Sequence, residues 1–408
     1  MSLASGVKAA EPAALPPDSV QVRMLGLLRD NGPMSRVELG DHLELPRTRV
    51  ASEMDALLTS GLVQDGGPAP SRGGRPSTLV TLDPGIRYGA IDLGATSIDI
   101  EITDGRLEPL AGLSEEADVK AGPAAILQRI TELFSKLRSN GAFQHLNAIG
   151  IGVPGPVSVG DGMPVSPPIM PGWDRFPLRA ALEMEFSCPA IVDNDVNIMS
   201  AGEAYRGIAR SVENFLFVKV GTGVGCGIHL GGQIYRGVNG CAGDIGHIQL
   251  DPRGPVCSCG NNGCLEAYFS GSALGRNAEA AARAAASPYL AARLAAAGAV
   301  SARDVGDGAV QRDPACLRLV REGGSRLGEV LASLVSFMNP SMIVIGGGLA
   351  GLGNQLLAEI RSVVYQRSLP LATGDLPIVL SELGPRAGVT GAGLIASDLA
   401  HRQVGHPQ

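Results

Sequence analysis

Between Asp244 and Glu266 the chain reads Asp-Ile-Gly-His-Ile-Gln-Leu-Asp-Pro-Arg-Gly-Pro-Val-Cys-Ser-Cys-Gly-Asn-Asn-Gly-Cys-Leu-Glu. This sets His247, Cys257, Cys259 and Cys264 in a His-x9-Cys-x-Cys-x4-Cys array. One imidazole and three thiolates match the tetrahedral preference of zinc, and four protein ligands leave no position for a catalytic water, so the array predicts a structural metal site. Glycines at 260 and 263 let the chain turn sharply enough for the sulfurs to converge. Four of the seven cysteines fall between Cys241 and Cys264, whereas Cys188, Cys226 and Cys316 are scattered. The alternatives are free buried cysteines beside an ordinary loop, or a disulfide framework, which belongs to secreted chains.

Asp244 and Glu266 flank the array, and a metal-bound imidazole keeps its second nitrogen for a hydrogen bond. Two carboxylates beside that nitrogen suit a polyol, so the metal is expected to hold the wall of a sugar pocket. The competing reading is that both carboxylates brace the metal loop.

At 408 residues the chain is expected to form two or three domains. No apolar run approaches a membrane span. Residues 1–17 are Ala- and Pro-rich with Lys8 as the one cation, unlike a signal peptide, so a cytoplasmic location is expected. The net charge of −7 argues against indiscriminate nucleic-acid binding.

Residues 18–84 read as a separate unit. Apolar spacing predicts a helix over 20–29, stopped by Asn31-Gly32-Pro33. Ser35 and Glu38 make a capping box for a second helix that ends near Glu44. A third helix is expected from Pro46, burying Val50, Met54, Leu57 and Leu58 and exposing Arg47, Thr48, Arg49 and Ser52. Strand-like runs at 62–63 and 78–82 enclose a Gly/Pro-rich basic tip over 66–76 that carries Arg72 and Arg75. The pattern predicts a winged helix-turn-helix, with the third helix and the tip reaching DNA. Residues 1–85 carry eight Lys+Arg against ten Asp+Glu, which fails the usual test of a basic domain and leaves a helical interaction module as the alternative. Weak electrostatics in one copy suggests two copies on paired half-sites, hence a homodimer or higher oligomer.

Residues 86–408 read as α/β. Residues 88–104 form two strands around a turn at Asp92, Gly94 and Thr96, where an aspartate and small residues suit a metal–phosphate group. Residues 148–157 form a buried strand running into a Gly/Pro loop, and another strand at 191–192 enters Asp193-Asn194-Asp195, with helix over Met199–Tyr205. Residues 215–232 repeat the strand–glycine turn–strand theme. Alanine-rich helices are expected at about 272–297 and 314–338, then a buried strand followed by a glycine turn over 342–349, and a last helix opening at Gly388. Two such halves suggest duplicated lobes around a cleft.

Taken together, these elements resemble the ROK family of bacterial repressors and sugar kinases, within the hexokinase/actin-like ATPase fold. The most specific part is Gly243-Asp-Ile-Gly-His247 followed by Cys-x-Cys-Gly-x-x-Gly-Cys-x-Glu. The resemblance implies that His247, Cys257, Cys259 and Cys264 bind zinc. It implies that Asn194, Asp195, Asp244, His247 and Glu266 bind sugar hydroxyls, and that Asp195 matches the kinases' general base. Asp92, Gly94 and Thr96, then Gly221, Thr222, Gly223 and Gly225, then Gly346, Gly347 and Gly348 match the nucleotide loops. Several positions depart from the kinase pattern. The first loop has Gly94-Ala95-Thr96-Ser97 where kinases usually read Gly-Gly-Thr-Lys, Cys226 replaces a glycine, Asp244 replaces Glu, and Pro168 replaces a sugar-contacting Asn. The expected function is a sugar-responsive transcriptional repressor of carbohydrate genes, with operator DNA and a sugar as partners. The alternative is an ATP-dependent sugar kinase using Mg-ATP, with Asp195 taking a proton from the sugar hydroxyl.

Overall fold

Capping residues fix the N-terminal helices of the computed structural model, which describes residues 15–69 and 77–404. Helix α1 (Val20–Asn31) starts at Ser19, whose hydroxyl accepts from the Val22 N–H, and stops at Gly32 with φ +80°. Strand β1 (Met34–Ser35) enters α2 (Arg36–Leu43), where Ser35 and Glu38 form the reciprocal capping box. In α3 (Arg47–Thr59), Pro46 is the N-cap rather than a residue of the first turn, and Val50, Met54 and Leu57 are buried. Strands β2 (Val63–Pro68) and β3 (Thr78–Leu82) pair antiparallel, and β1 adds to β3. Strand β2 therefore takes in Gly66 and Gly67, which the sequence placed in the tip. Arg72 and Arg75 lie outside the described residues. Three helices and this three-stranded sheet form the N-terminal unit.

The rest of the chain folds as two lobes of one design. In the first, β4 (Arg87–Leu93), β5 (Ser97–Asp104) and β6 (Pro109–Glu116) are antiparallel. After α4 (Pro123–Ser139) comes β7 (Ala148–Val153), parallel to β4. The chain continues through a small hairpin of β8 (Val157–Ser158) and β9 (Met163–Pro164), then α5 (Leu178–Phe186), to β10 (Ala190–Asn194), parallel to β7. The order is β10-β7-β4-β5-β6, and α6 (Asp195–Arg206) follows directly.

The second lobe repeats the antiparallel start with β11 (Phe215–Val220), β12 (Val224–Leu230) and β13 (Gln233–Ile234). Its helices are α7 (Leu265–Tyr268), α8 (Gly271–Arg283), α9 (Pro288–Ala297), α10 (Ala302–Val310) and α11 (Pro314–Met338). Then come β14 (Met342–Gly346), parallel to β11, α12 (Gly353–Arg367), α13 (Pro370–Thr373), β15 (Ile378–Leu380) and α14 (Ala387–Arg402). The sheet order is β13-β12-β11-β14-β15. The stretch expected as one helix over 272–297 is two. Ser287 accepts from the Leu290 N–H, and Pro288 opens a new first turn because it cannot continue the preceding helix.

Each sheet has its own apolar core, and α6 and α14 cross between the lobes. The crossing is backbone against backbone. A Cβ at Gly202 would overlap the Ala387 carbonyl, and one at Gly391 would overlap the Ile198 carbonyl. The N-terminal unit is not a loose appendage, because Met24, Leu25 and Leu28 of α1 share a core with Tyr88, Ala396 and Ala400. Among the described residues, no helix is long and apolar enough to cross a membrane.

Candidate ligand cleft and metal centre

Between the lobes lies a cavity of about 970 Å³. It gathers the expected sugar-binding residues Asn194, Asp195, Asp244, His247 and Glu266. All the nucleotide-loop positions named above, from Asp92 to Gly348, line it as well. Its second wall is built on the metal array. The ligand atoms of His247, Cys257, Cys259 and Cys264 all lie within 4.8 Å of one another. Cys259 Sγ is 3.8 Å from Cys264 Sγ, and Cys257 Sγ is 3.5 Å from His247 Nδ1. A tetrahedral zinc with ordinary bond lengths asks for S···S and S···N edges of about 3.8 and 3.5 Å, so the donor set fits that ion. The imidazole offers Nδ1 to this cluster, while Nε2 faces the Asp244 carboxylate at 4.0 Å. Burial in the cleft raises Asp244 above the usual carboxylate range, with His247 pulling the other way.

Glu266 does two things. One oxygen accepts from the Val224 N–H at 3.1 Å and the other from the Ser258 hydroxyl at 3.1 Å, so the carboxylate ties the metal loop to the Gly221–Gly225 turn. A side chain at Gly223 would collide with it, since a Cβ there would stand 2.5 Å from Oε2. The bracing reading of this residue therefore holds alongside its place in the cavity wall.

Asn194 is the N-cap of α6. Its Oδ1 accepts from the N–H groups of Val196 and Asn197, and its Nδ2 donates to the Gly155 carbonyl, which leaves one amide hydrogen for a ligand. Asp195 opens the helix, where the positive end of the helix dipole favours a carboxylate. Behind it, Asp193 is fully buried, accepting from Arg236 of the second lobe at 2.6 and 2.9 Å and from Asn197.

Sequence reasoning missed Lys219. Its ammonium donates to Oδ2 of Asp195, while Oδ1 of Asp195 accepts from the Val196 N–H. Burial works against the lysine's charge, but Asp195 and then Asp92 outweigh it and hold the pKa above its ordinary value. Asp92 is pushed up to about 7, chiefly by burial, with Lys219 opposing the shift and Asp195 and Asp99 adding to it. Its Oδ1 is buried without a hydrogen-bond partner among the described residues. The available signal was a single cation in the apolar run Phe-Leu-Phe-Val-Lys-Val, one strand residue before a glycine turn.

Cys226 sits on β12 opposite Val218, its thiol is buried in the second lobe's core and pushed up to about 12 by that burial, and the residue lines the cavity together with Ala95 and Pro168.

The exposed face of α3 carries Arg47, Thr48, Arg49 and Ser52 as expected. Arg49 pairs with Glu53 at 2.6 Å, and Glu53 also accepts from Gln21.

Two lobes with matching sheets, glycine turns from both facing one cleft, and an acid at a helix N-terminus define a sugar-kinase-like fold of the actin-like ATPase class. The N-terminal unit of three helices and a small sheet precedes it in the chain. The ROK family model matches residues 88–399, and the chain belongs to that family. A putative xylose repressor of Caldicellulosiruptor sp. is 30% identical over 384 residues, covering 92% of this chain and 95% of the relative. A glucokinase of Halalkalibacterium halodurans is 34% identical over 309 residues, covering 75% of this chain and 93% of the relative. Among solved structures, a ROK family transcriptional regulator described as a homologue of the E. coli MLC protein superposes with a TM-score of 0.79 at 26% identity. It covers 94% of this chain and 98% of its own.

Proposed function

We propose that the chain is a sugar-responsive transcriptional repressor, its winged helix reading operator DNA and its cleft binding the sugar. The observation that carries this reading is the course of α6 and α14. Helix α6 opens at Asp195 in the cleft, and its last turn holds Tyr205, whose hydroxyl donates to Asp30 of α1 at 3.1 Å. Helix α14 opens beside the cleft, where Gly388 abuts Asp92 so closely that a Cβ would overlap Oδ2. Its far end presents Asp398, which accepts from Arg29 of α1 at 2.6 Å. The two helices touch through glycines, so a lobe movement at the cleft is delivered to the base of the DNA-reading unit. Such a movement changes DNA affinity if the sugar prefers one of the two arrangements.

Zinc bound by His247, Cys257, Cys259 and Cys264 is structural in this reading. It fixes the cleft wall and the orientation of His247, whose Nε2 meets the sugar together with Asp244 and Glu266. Arg47, Thr48, Arg49 and Ser52 face the DNA, and Arg72 and Arg75 serve as further DNA-contacting residues. The full-length match to repressors supports the reading, since the glucokinase match covers three-quarters of the chain. That same match, with Asp195 at the helix start, favours sugar phosphorylation as the second reading. The test is to select DNA from a random pool with the purified chain, then measure its binding with and without D-xylose, D-glucose and a panel of other sugars. A sugar that shifts DNA affinity supports the repressor. Sugar turnover with Mg-ATP and no DNA selection would replace it with the kinase.

A further inference from the structure

Among the described residues the acidic floor of the cleft already contains a cation. Asp92 and Asp195 come from the first lobe, on β4 and at the start of α6, and Lys219 reaches them from β11 of the second. Its side chain is 17% exposed and that of Asp195 is 6% exposed, so this pair is screened weakly by water. The aliphatic stem matters as much as the ammonium. A Cβ at Gly347 would meet Lys219 Cγ at 3.0 Å, and one at Gly221 would meet Lys219 Cε at 3.5 Å. The stem thus runs between the two glycine turns whose backbone N–H groups a phosphate chain would need.

Metal–phosphate chemistry asks for something different at this place. Magnesium binds through one or two carboxylates together with phosphate oxygens, and it keeps several waters. Here one oxygen of Asp195 is taken by the ammonium and the other by a backbone N–H. Oδ1 of Asp92 is left buried with no polar partner among the described residues. The arrangement does not fit a metal-bound nucleotide.

We propose that Lys219 is a built-in cation that takes the place of a divalent metal between Asp92 and Asp195, which makes the cleft a metal-independent receptor for an uncharged sugar. This deepens the repressor reading and rests on it for the sugar, but the occupancy of the acidic floor is measured without DNA or ligand. The lysine also offsets the repulsion between two carboxylates of the first lobe, since its ammonium donates to Asp195 and its charge acts favourably on Asp92, and it thereby ties the second lobe to the first. A free metal ion would have to displace an ammonium that is covalently held in place.

The experiment is a Mn²⁺ titration of the full chain, followed by the electron paramagnetic resonance signal of free Mn²⁺, at pH 8 with the zinc site loaded. The wild type is expected to show no Mn²⁺ site that depends on Asp92. Lys219→Met keeps the stem and removes the charge, and it is expected to bind Mn²⁺ at least about tenfold more tightly than wild type. The double variant Lys219→Met/Asp92→Asn is expected to lose that gain. Lys219→Gln serves if the methionine variant does not fold, as judged by its circular dichroism and melting curve. A Mn²⁺ site in the wild type that Asp92→Asn removes overturns the proposal. So does a folded Lys219 variant that binds Mn²⁺ no better than wild type. Failure of DNA selection would remove the repressor reading and leave these outcomes standing on their own.

Discussion

Arg29→Met should disconnect the DNA-reading unit from the cleft while leaving both able to bind. Arg29 is 8% exposed at the seam between α1 and the body. Its guanidinium donates to Asp398 at 2.6 Å, to Ser397 at 3.4 Å and to Asp30 at 2.8 Å. It also lies over the Tyr205 ring, 5.2 Å from the centroid. A hydrogen bond to a charged group contributes about 1.5–3 kcal/mol, and a cation over an aromatic face about 0.5–2 kcal/mol. The Asp30 contact lies within α1 and does not cross the seam, and the side chain of Asp398 is 53% exposed, so water recovers much of what it loses. After that discount the net weakening of the seam is about 2 kcal/mol, a factor of about 30 in the docking equilibrium. Coupling between two sites typically amounts to about 1–3 kcal/mol, so a loss of this size removes most of the sugar response. Leu25, Leu28, Ala396 and Ala400 still form the apolar core across the seam, so the unit stays folded. Fluorescence anisotropy on labelled operator, with and without saturating sugar, reads the effect. A mutant whose sugar-bound and sugar-free affinities keep the wild-type ratio would falsify the seam as the route of coupling.

Four further outcomes follow from named contacts. Cys259→Ser should drop the metal content, measured by mass spectrometry, from about one zinc per chain, and should abolish sugar binding while DNA binding persists; unchanged sugar binding would separate the metal from the cleft. Arg49→Ala should lose about 1–3 kcal/mol of operator affinity with relaxed sequence preference if the side chain leaves Glu53 for a base, whereas an equal loss on all sequences marks a phosphate contact, and no loss removes the assignment. Gly391→Ala places a methyl against the Ile198 carbonyl and should cost about 1–3 kcal/mol by forcing α6 and α14 apart, seen as a lower melting temperature; a neutral result would mean that the crossing is loose. For Asp92 the folded pKa of about 7 lies above the ordinary value of 3.8, so its contribution to stability is full at low pH and declines as pH rises through 7. Asp92→Asn should therefore raise the melting temperature more at pH 8 than at pH 4, and an equal effect at both would show that burial does not hold the proton.

What was legible in the sequence was local. The metal array reads directly because four ligands fall within eighteen residues, and bringing them together needs only the turns at Gly260 and Gly263. The Ser35–Glu38 box and the glycine-turn hairpins at Asp92–Ser97 and Val220–Val224 are likewise short-range patterns that the backbone obeys. What was not legible depends on strands meeting far-off helices. Lys219 reads as an oddity until β11 is set beside α6, and Arg29 reads as a surface cation until α14 arrives, 369 residues later in sequence, to cover it. The break at Ser287-Pro288 was written in the residues, but an alanine-rich run on both sides disguised it.

The central claim is that the cleft and the DNA-reading unit share one equilibrium, and linkage makes that testable from the sugar side. Isothermal titration of the sugar that scores in the panel is done twice, on free protein and on protein saturated with operator. The account predicts that operator changes the sugar's affinity by the same factor, about 5- to 150-fold, by which the sugar changes the operator's. Equal sugar affinity in the two titrations would contradict it.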